Sequence, residues 1–377
     1  MIIFVSLLSF AAWVYLIGFH GRFWRSSPVL DARAPSGEAK VAVVVPARNE
    51  AESIRQSLGS LLAQDYPAEL SVILVDDDST DGTAAIAASL GADKRLTIIS
   101  GEPLPRGWSG KLWAVHQGLS HETAQAASYV LLTDADIVHS PDHISSLVAK
   151  AEADGLDLVS EMVRLHCVTA AERALIPAFV FFFQMLYPFA WVANPAKRVA
   201  GAAGGTMLAS RTAIDRIQGV SGIRHHLIDD CALAREIKST GGRIWLGHAA
   251  RTVSARVYSD WRDIWNMIAR TAYVQLKYSP LMLLGCVADM GTIFCVPPLL
   301  TLFAHGLPRV LGFLSWLMMG LAFQPALRRY RRSPLWGIVL PGISLFYLCA
   351  TVASAFWHYA GRGGGWKNRV YPENPTP

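Results

Sequence analysis

Three short segments put carboxylates where a buried strand or helix end would present them. In Leu74–Thr83, LVDDDSTDGT, the acids Asp76, Asp77 and Asp78 follow an apolar, β-branched run. In Thr133–His139, TDADIVH, Asp134 and Asp136 stand one residue apart after another such run. Two carboxylates at that spacing can reach one divalent cation, which in turn can neutralise a diphosphate. In His225–Gly242, HHLIDDCALAREIKSTGG, Asp229 and Asp230 open an amphipathic helix. Taken singly, each has a plainer explanation: a capped turn into a helix at Thr83, a turn with exposed acids, a capping pair. A calcium loop fails for the first. Asp77, Ser79, Asp81 and Gly82 fit its opening positions, but Ala88 stands where its closing Glu belongs, and a strand precedes it.

Three further segments carry polar groups at element ends. Val41–Glu50, VAVVVPARNE, is a strand running into Pro46, Ala47, Arg48, Asn49 and Glu50. Gly107–Gly118, GWSGKLWAVHQG, puts Lys111 between a glycine-bearing turn and a helix. A lysine at a helix start opposes the dipole, so an anionic ligand is a reasonable cause, with an exposed surface lysine the alternative. Ala200–Arg211, AGAAGGTMLASR, holds Gly204 and Gly205, where small residues let a substrate approach the backbone or simply make a tight hairpin. His225 and His226 are adjacent. In an extended segment their rings point to opposite faces, which argues against a shared zinc ion.

The elements that must position these groups alternate. From Lys40 to about Arg262, strand runs at Val41–Val45, Val72–Val75, Leu96–Ile99, Tyr129–Thr133 and Leu156–Met162 are separated by helical stretches. Those helices are expected at Glu50–Ala63, Thr83–Leu90, Trp113–Leu119 and His143–Ala153. The pattern predicts an α/β domain with a mixed, mostly parallel sheet covered on both faces. Acidic or glycine-bearing turns sit at the strands' C-terminal ends, where open α/β sheets bind ligands.

The 377 residues are 52% hydrophobic and 17% charged. The shortage of charge is local. Residues 2–19 form one uncharged apolar run followed by Arg22 and Arg25, which fits an uncleaved anchor with the basic side in the cytoplasm. Further spans are expected near 281–304, 308–326 and 335–358, with Arg328–Arg332 cytoplasmic between the last two. Counting spans puts the tail outside, whereas its basic residues put it inside. The Phe-rich segment 174–193 carries Pro177 and Pro188 and reads as a helix lying in the interface or lining a lipid groove. The expected division is an anchor at 1–24, a linker at 25–39, the α/β domain at 40–262, an interfacial helix at 263–280, about three transmembrane helices in 281–360 and a tail at 361–377. A net charge of +5 with arginines at the ends of apolar runs suits anionic lipid. No basic stripe with interleaved aromatics marks a nucleic-acid partner. The five cysteines are scattered without C-x-x-C, so neither a zinc site nor a disulfide framework is expected.

Together and in this order, the Pro46–Glu50 turn, VDDDSTDGT and DAD resemble glycosyltransferase family 2, the inverting GT-A enzymes. The resemblance covers roughly residues 40–262. It implies that Pro46, Ala47, Asn49, Glu50 and Asp77 hold the base and ribose of a nucleotide-sugar. It implies that Asp134 and Asp136 bind Mg²⁺ or Mn²⁺ on the diphosphate, with Asp134 also positioning the sugar, and that Lys111 contacts the diphosphate. By the same match Asp230 is the catalytic base and Asp229 its neighbour, and Gly204, Gly205, His225 and His226 meet the acceptor. The middle residue of the acidic turn is often Gly in that family; here it is Asp78.

Processive polysaccharide synthases of the family carry Q-x-x-R-W. In Trp265–Tyr273, WNMIARTAY, Arg270 survives while Met267 and Thr271 replace the Gln and Trp. That departure argues against a polymerase and leaves Arg270 as a group for the leaving diphosphate. The whole layout is most similar to hopanoid-biosynthesis-associated glycosyltransferases, with relatives that glycosylate ceramide or carotenoids, and the tail Gly363–Tyr371 is like theirs. The resemblance thus implies transfer from a UDP-sugar to a lipid, by a multi-pass protein of a bacterial-type inner membrane with its catalytic domain cytoplasmic. The rivals are the same chemistry on polyprenyl phosphate, and a non-catalytic membrane scaffold.

Overall fold

The computed structural model describes residues 1–34 and 37–361, and the backbone of residues 365–366 and 369–370. The tail segment Gly363–Tyr371 therefore lies largely outside the described residues. The chain clusters into two compact units. Ser27–His166 and Trp191–Val257 belong to a sheet unit; Met1–Ser26, Cys167–Ala190 and residues 258–361 form a helical unit.

The sheet unit has eight strands: β1 Val41–Ala47, β2 Leu70–Asp76, β3 Leu96–Ser100, β4 Tyr129–Leu132, β5 Ile137–Val138, β6 Leu158–Arg164, β7 Met207–Ser210 and β8 Ile244–Ser254. They form one sheet in the order β3-β2-β1-β4-β7-β6-β8-β5. The block β3, β2, β1 and β4 is parallel throughout. β7 runs antiparallel to both its neighbours, β4 and β6. β6 and β8 are parallel again, and β5 pairs antiparallel with β8. The sheet is thus mixed α/β, as the alternation predicts.

Every residue of β1 is buried, because helices cover both faces of the central strands. The helix Ile54–Leu62 buries Ile54, Leu58 and Leu61 in the main core. The helix Gly110–Ser120 packs on β1 and β2. It lies so close that a Cβ on Gly118 would stand 2.4 Å from Val44 Cγ1. Only glycine permits that approach, and the approach fixes where Lys111, at the helix's first turn, is held.

β7 and β8 lack the apolar runs that betray the other strands. β7 is four residues behind a glycine-rich turn, and Gly247, His248 and Arg251 interrupt β8. Part of the stretch read as a linker is built into this unit. Val29 bridges to His248, the His248 N–H donates to Pro28 O at 2.8 Å, and Leu30 is buried.

The helical unit contains the helices Ile2–Gly18, Ala170–Leu186, Trp261–Gln275, Leu307–Arg329 and Trp336–Tyr359, and a continuous helical run over Pro280–Phe303. Capping boxes start two of them, Thr169 with Glu172 and Asp260 with Asp263. Among the described residues, four segments are long and apolar enough to cross a membrane: Ala170–Val192, Pro280–Phe303, Leu307–Arg329 and Trp336–Tyr359. Ile2–Gly18 is apolar but shorter.

The prolines expected to interrupt the run do so locally. Pro297 has no N–H for Ile293 O, four residues back, and a π turn spans Gly291–Cys295. Trp13 Nε1 donates to Ile293 O at 2.8 Å, and Ser9 Oγ to Thr292 O at 2.8 Å. The first helix thereby satisfies the carbonyls that the turn releases.

Candidate active site

Five of the expected segments converge at the C-terminal ends of β1 and β4. Pro46, Lys111, Leu132, Thr133, Asp134, Met207, Gly204 and Asp229 line one cleft. Lys111 Nζ lies 2.8 Å from Asp134 Oδ1 and 3.0 Å from Asp229 Oδ2. Ser109 caps its helix by accepting from the Leu112 N–H, so Lys111 projects from a fixed first turn. Burial alone would release its proton, but Asp134, Asp229 and Asp230 together hold its pKa above the ordinary lysine value.

Asp230 sits beside them. Its Oδ2 accepts the Gly204 N–H at 2.8 Å and its Oδ1 the Cys231 N–H at 2.7 Å. Burial and the neighbouring Asp229 charge push its carboxyl up to about 6, against the pull of Lys111 and the two backbone donors. Asp229 and Asp230 therefore do more than start the helix Asp229–Ser239. One pairs with a lysine; the other is a poised carboxyl.

Gly204 and Gly205 differ in surroundings. A Cβ on Gly204 would meet Asp230 Oδ2 at 3.4 Å and Lys111 Nζ at 3.5 Å, so this glycine faces the cleft. A Cβ on Gly205 would meet Val163 Cγ2 at 3.1 Å and Ile137 Cδ1 at 3.3 Å, so interior packing accounts for it. His225 and His226 correct the expectation of opposed rings. Their centroids are 4.5 Å apart at 35°, because the segment is a turn and not extended chain. His226 Nδ1 contacts Ile223 O at 3.2 Å, and burial lowers the pKa of its ring. Arg224, just before them, accepts the Ser109 N–H on its carbonyl at 2.8 Å.

The nucleotide-type turns after β1 and β2 interlock. The Asp77 N–H donates to Ala47 O at 2.8 Å, the Thr80 N–H to Asn49 Oδ1 at 2.9 Å, and the Asn49 N–H to Ser79 Oγ at 3.0 Å. The Glu50 N–H donates to Thr83 Oγ1 at 2.8 Å, and Asp81 accepts from both Ala51 N and Thr83 N. Arg48 was not singled out in the sequence. Its guanidinium donates to the Asp77 and Asp78 carbonyls and lies 3.5 Å from Asp77 Oδ2. Asp78 has φ 56° and Asn49 φ 53°, the left-handed region that Asn and Asp tolerate best among non-glycine residues. That explains why a glycine suits the Asp78 position.

Asp136 points elsewhere than Asp134. Its Oδ2 pairs with Arg256 Nε at 2.7 Å, and Arg256 Nη2 reaches Glu50 Oε1 at 3.2 Å. Arg256 follows β8 and was invisible to periodicity. Arg270 lies exposed on the helix Trp261–Gln275 of the helical unit.

Among the described residues, no three His, Cys, Asp or Glu side chains are grouped to hold a metal ion. The donor set that fits a divalent cation is Asp134, whose side chain is 37% exposed. Mg²⁺-type ions commonly take one or two carboxylates and complete their shell with water and substrate phosphate. Both acids of the pair already meet a cation, Asp134 through Lys111 and Asp136 Oδ2 through Arg256.

Comparison with known proteins agrees with this geometry. Residues 42–217 match the family model described as "Glycosyl transferase family 2". A 117-residue stretch is 32% identical to 4,4'-diaponeurosporenoate glycosyltransferase of Staphylococcus aureus (strain MRSA252). The match covers 30% of this chain and only 29% of that relative's length. Among solved structures, the mannosyltransferase PcManGT of Pyrobaculum calidifontis, in complex with GDP-Man and Mn²⁺, superposes with a TM-score of 0.59 at 20% identity. That alignment covers 95% of this chain and 99% of the other, and establishes a shared fold. Residues 42–217 thus match the family 2 glycosyl transferase model and lie in a mixed α/β sheet of the GT-A kind.

Proposed function

We propose that this chain transfers a sugar from a nucleotide-sugar, a UDP-sugar by its resemblance, to the hydroxyl of a lipid, with inversion. The observation that carries the reading is Asp230, whose carboxyl, pushed up to about 6, accepts the N–H of Gly204, which lines the cleft with Lys111, Asp134 and Asp229. A general base is most useful when its pKa is close to the working pH.

In this reading the interlocked turns at Asn49 and Asp77 receive the nucleoside. Lys111 gives its charge to the diphosphate, in exchange for one of the carboxylates it now holds. Asp134 orients the sugar and, with Asp136, would hold Mg²⁺ or Mn²⁺. The cation, when bound, supplies positive charge to the leaving diphosphate. Asp230 takes the proton of the acceptor hydroxyl as its oxygen attacks the anomeric carbon, and the nucleoside diphosphate departs. Gly204, turned toward Asp230, leaves room for the acceptor. The resemblance assigns His225 and His226 to the acceptor as well.

The lipid acceptor is supported by the four membrane-length apolar helices and by the name of the Staphylococcus aureus relative. A hopanoid is the acceptor to which the sequence resemblance points. The same resemblance and the Arg328–Arg332 cluster support an inner-membrane protein with this domain in the cytoplasm. Asp230→Asn tests the reading: transfer to extracted lipid is lost while nucleotide-sugar binding persists. Unchanged transfer by that variant removes Asp230 from the mechanism.

A further inference from the structure

Behind the cleft runs a line of buried polar side chains that the transfer chemistry does not use. Thr133, His139, His143 and Glu161 are 2%, 4%, 3% and 1% exposed. Thr133 Oγ1 lies 2.7 Å from Gly205 O and 3.1 Å from His139 Nε2. His139 Nδ1 lies 2.8 Å from His143 Nδ1, and His143 Nε2 lies 2.6 Å from Glu161 Oε2.

The direction of each bond follows from counting protons. Gly205 O can only accept, so the single hydroxyl proton of Thr133 goes to it. His139 Nε2 must then donate to Thr133 Oγ1. Burial and the facing His143 hold the pKa of His139 well below the ordinary histidine value, so its ring is neutral and its Nδ1 bears no proton. His143 Nδ1 therefore donates to it, and one proton is shared between His143 Nε2 and Glu161 Oε2. Every donor from His143 Nδ1 to Thr133 Oγ1 points toward Gly205 O.

That carbonyl belongs to the turn whose Gly204 N–H holds Asp230. The Thr206 N–H closes the turn on Ala203 O at 3.2 Å, and Ser160 Oγ braces it by accepting the Ala203 N–H at 2.9 Å. The relay is its brace on the Gly205 side.

We propose that Glu161, His143, His139 and Thr133 form a positioning relay that fixes the Gly204–Gly205 turn, and through the Gly204 N–H sets the orientation and acidity of the Asp230 carboxyl. This rests on the assignment of Asp230 as the base. The other charged groups that face Asp230 are Asp229 on its own helix, Lys111 on the helix Gly110–Ser120 and Asp134 after β4. Among the described residues, the relay side chains hydrogen-bond to one another and to Gly205 O, and not to these charged side chains.

Thr133→Val keeps the shape and removes the donor. With full-length protein, the acidic limb of the transfer rate should move up by roughly one pH unit, the worth of one hydrogen bond to a carboxylate. Thr133→Ser, which keeps the hydroxyl, should leave the limb where the unaltered chain has it. A Thr133→Val limb that does not move overturns the relay, even if the rate falls. If Thr133→Val does not fold, ¹⁵N-histidine spectra of the unaltered chain in detergent decide. A proton on His139 Nε2 and none on its Nδ1 supports the relay; the reverse tautomer or an imidazolium overturns it. An unaltered chain that transfers no sugar defeats the proposed function, and the imidazole spectrum still tests the relay separately.

Discussion

Arg256 Nε stands 2.7 Å from Asp136 Oδ2 while its Nη2 stands 3.2 Å from Glu50 Oε1. One guanidinium thus ties the turn after β1 to the turn after β4, the two places where a nucleotide-sugar would be gripped. Arg256→Gln should separate them. Nucleotide-sugar affinity is expected to fall about tenfold, while thermal unfolding shifts by only a few degrees, since the arginine is partly exposed and screened. Titration calorimetry with UDP-sugars checks this. Unchanged affinity would show that the turns hold their places without the bridge.

Removing divalent metal should act on the other acid. Asp134 is the more open of the D-x-D pair, and Asp136 is already paired with Arg256. Chelation with EDTA should weaken nucleotide-sugar binding, and Asp134→Asn should abolish the response to added Mn²⁺. Asp136→Asn should keep a response. Equal loss of the Mn²⁺ response in both variants would mean that Arg256 yields Asp136 to the cation on binding.

The raised carboxyl of Asp230 gives a pH profile with a definite sign. The base works only when ionised, so the transfer rate should fall about tenfold per pH unit below about 6. Stability runs oppositely. Between about 4 and 6 the folded chain keeps a proton that the unfolded chain has released, so this group's contribution declines as pH rises through that window. A rate limb centred near 4 would show that substrate or solvent relieves the burial of Asp230.

Asp78 carries a backbone prediction independent of chemistry. Its φ of 56° is left-handed. Asp78→Val should lower stability by about 1–2 kcal/mol, because a β-branched residue clashes there. Asp78→Gly should cost nothing measurable, with relief of strain offset by added freedom of the unfolded chain. Denaturation midpoints compare the three. A valine variant as stable as the parent would show that the turn can relax.

What the sequence made legible was local. LVDDD reads as a buried strand ending in acids because both signals lie within a few residues, and the same holds for TDAD and the helix opening at Asp229. Pairings across the chain were not legible. Nothing near Arg256 announces that it meets Asp136 and Glu50, since β8 is broken by Gly247, His248 and Arg251. The His139–His143–Glu161 line was hidden for a related reason. His143 looks like an ordinary helix start until β6 brings Glu161 to 2.6 Å from it. The opposed-ring expectation for His225 and His226 assumed extended chain where the fold makes a turn. Residue type predicted which groups could do chemistry; only topology decides which of them meet.

Lys111 is where that meeting matters most. It bridges Asp134 and Asp229 at 2.8 and 3.0 Å, and its charge is one of the forces opposing the rise of the Asp230 pKa. Lys111→Met keeps the length of the side chain and removes the charge. Three effects should follow together. The nucleotide-sugar KM should rise, because the diphosphate loses a cation. The rate constant kcat should fall by about 10²–10³, the usual cost of losing one group that stabilises transition-state charge. The acidic limb should move above 6, because Asp229 then acts on Asp230 without the lysine to oppose it. Lys111→Arg should restore the position of the limb more fully than the rate, since a planar fork replaces a point charge. A limb that stays at 6 in Lys111→Met would separate Lys111 from Asp230 and confine the lysine to donor binding.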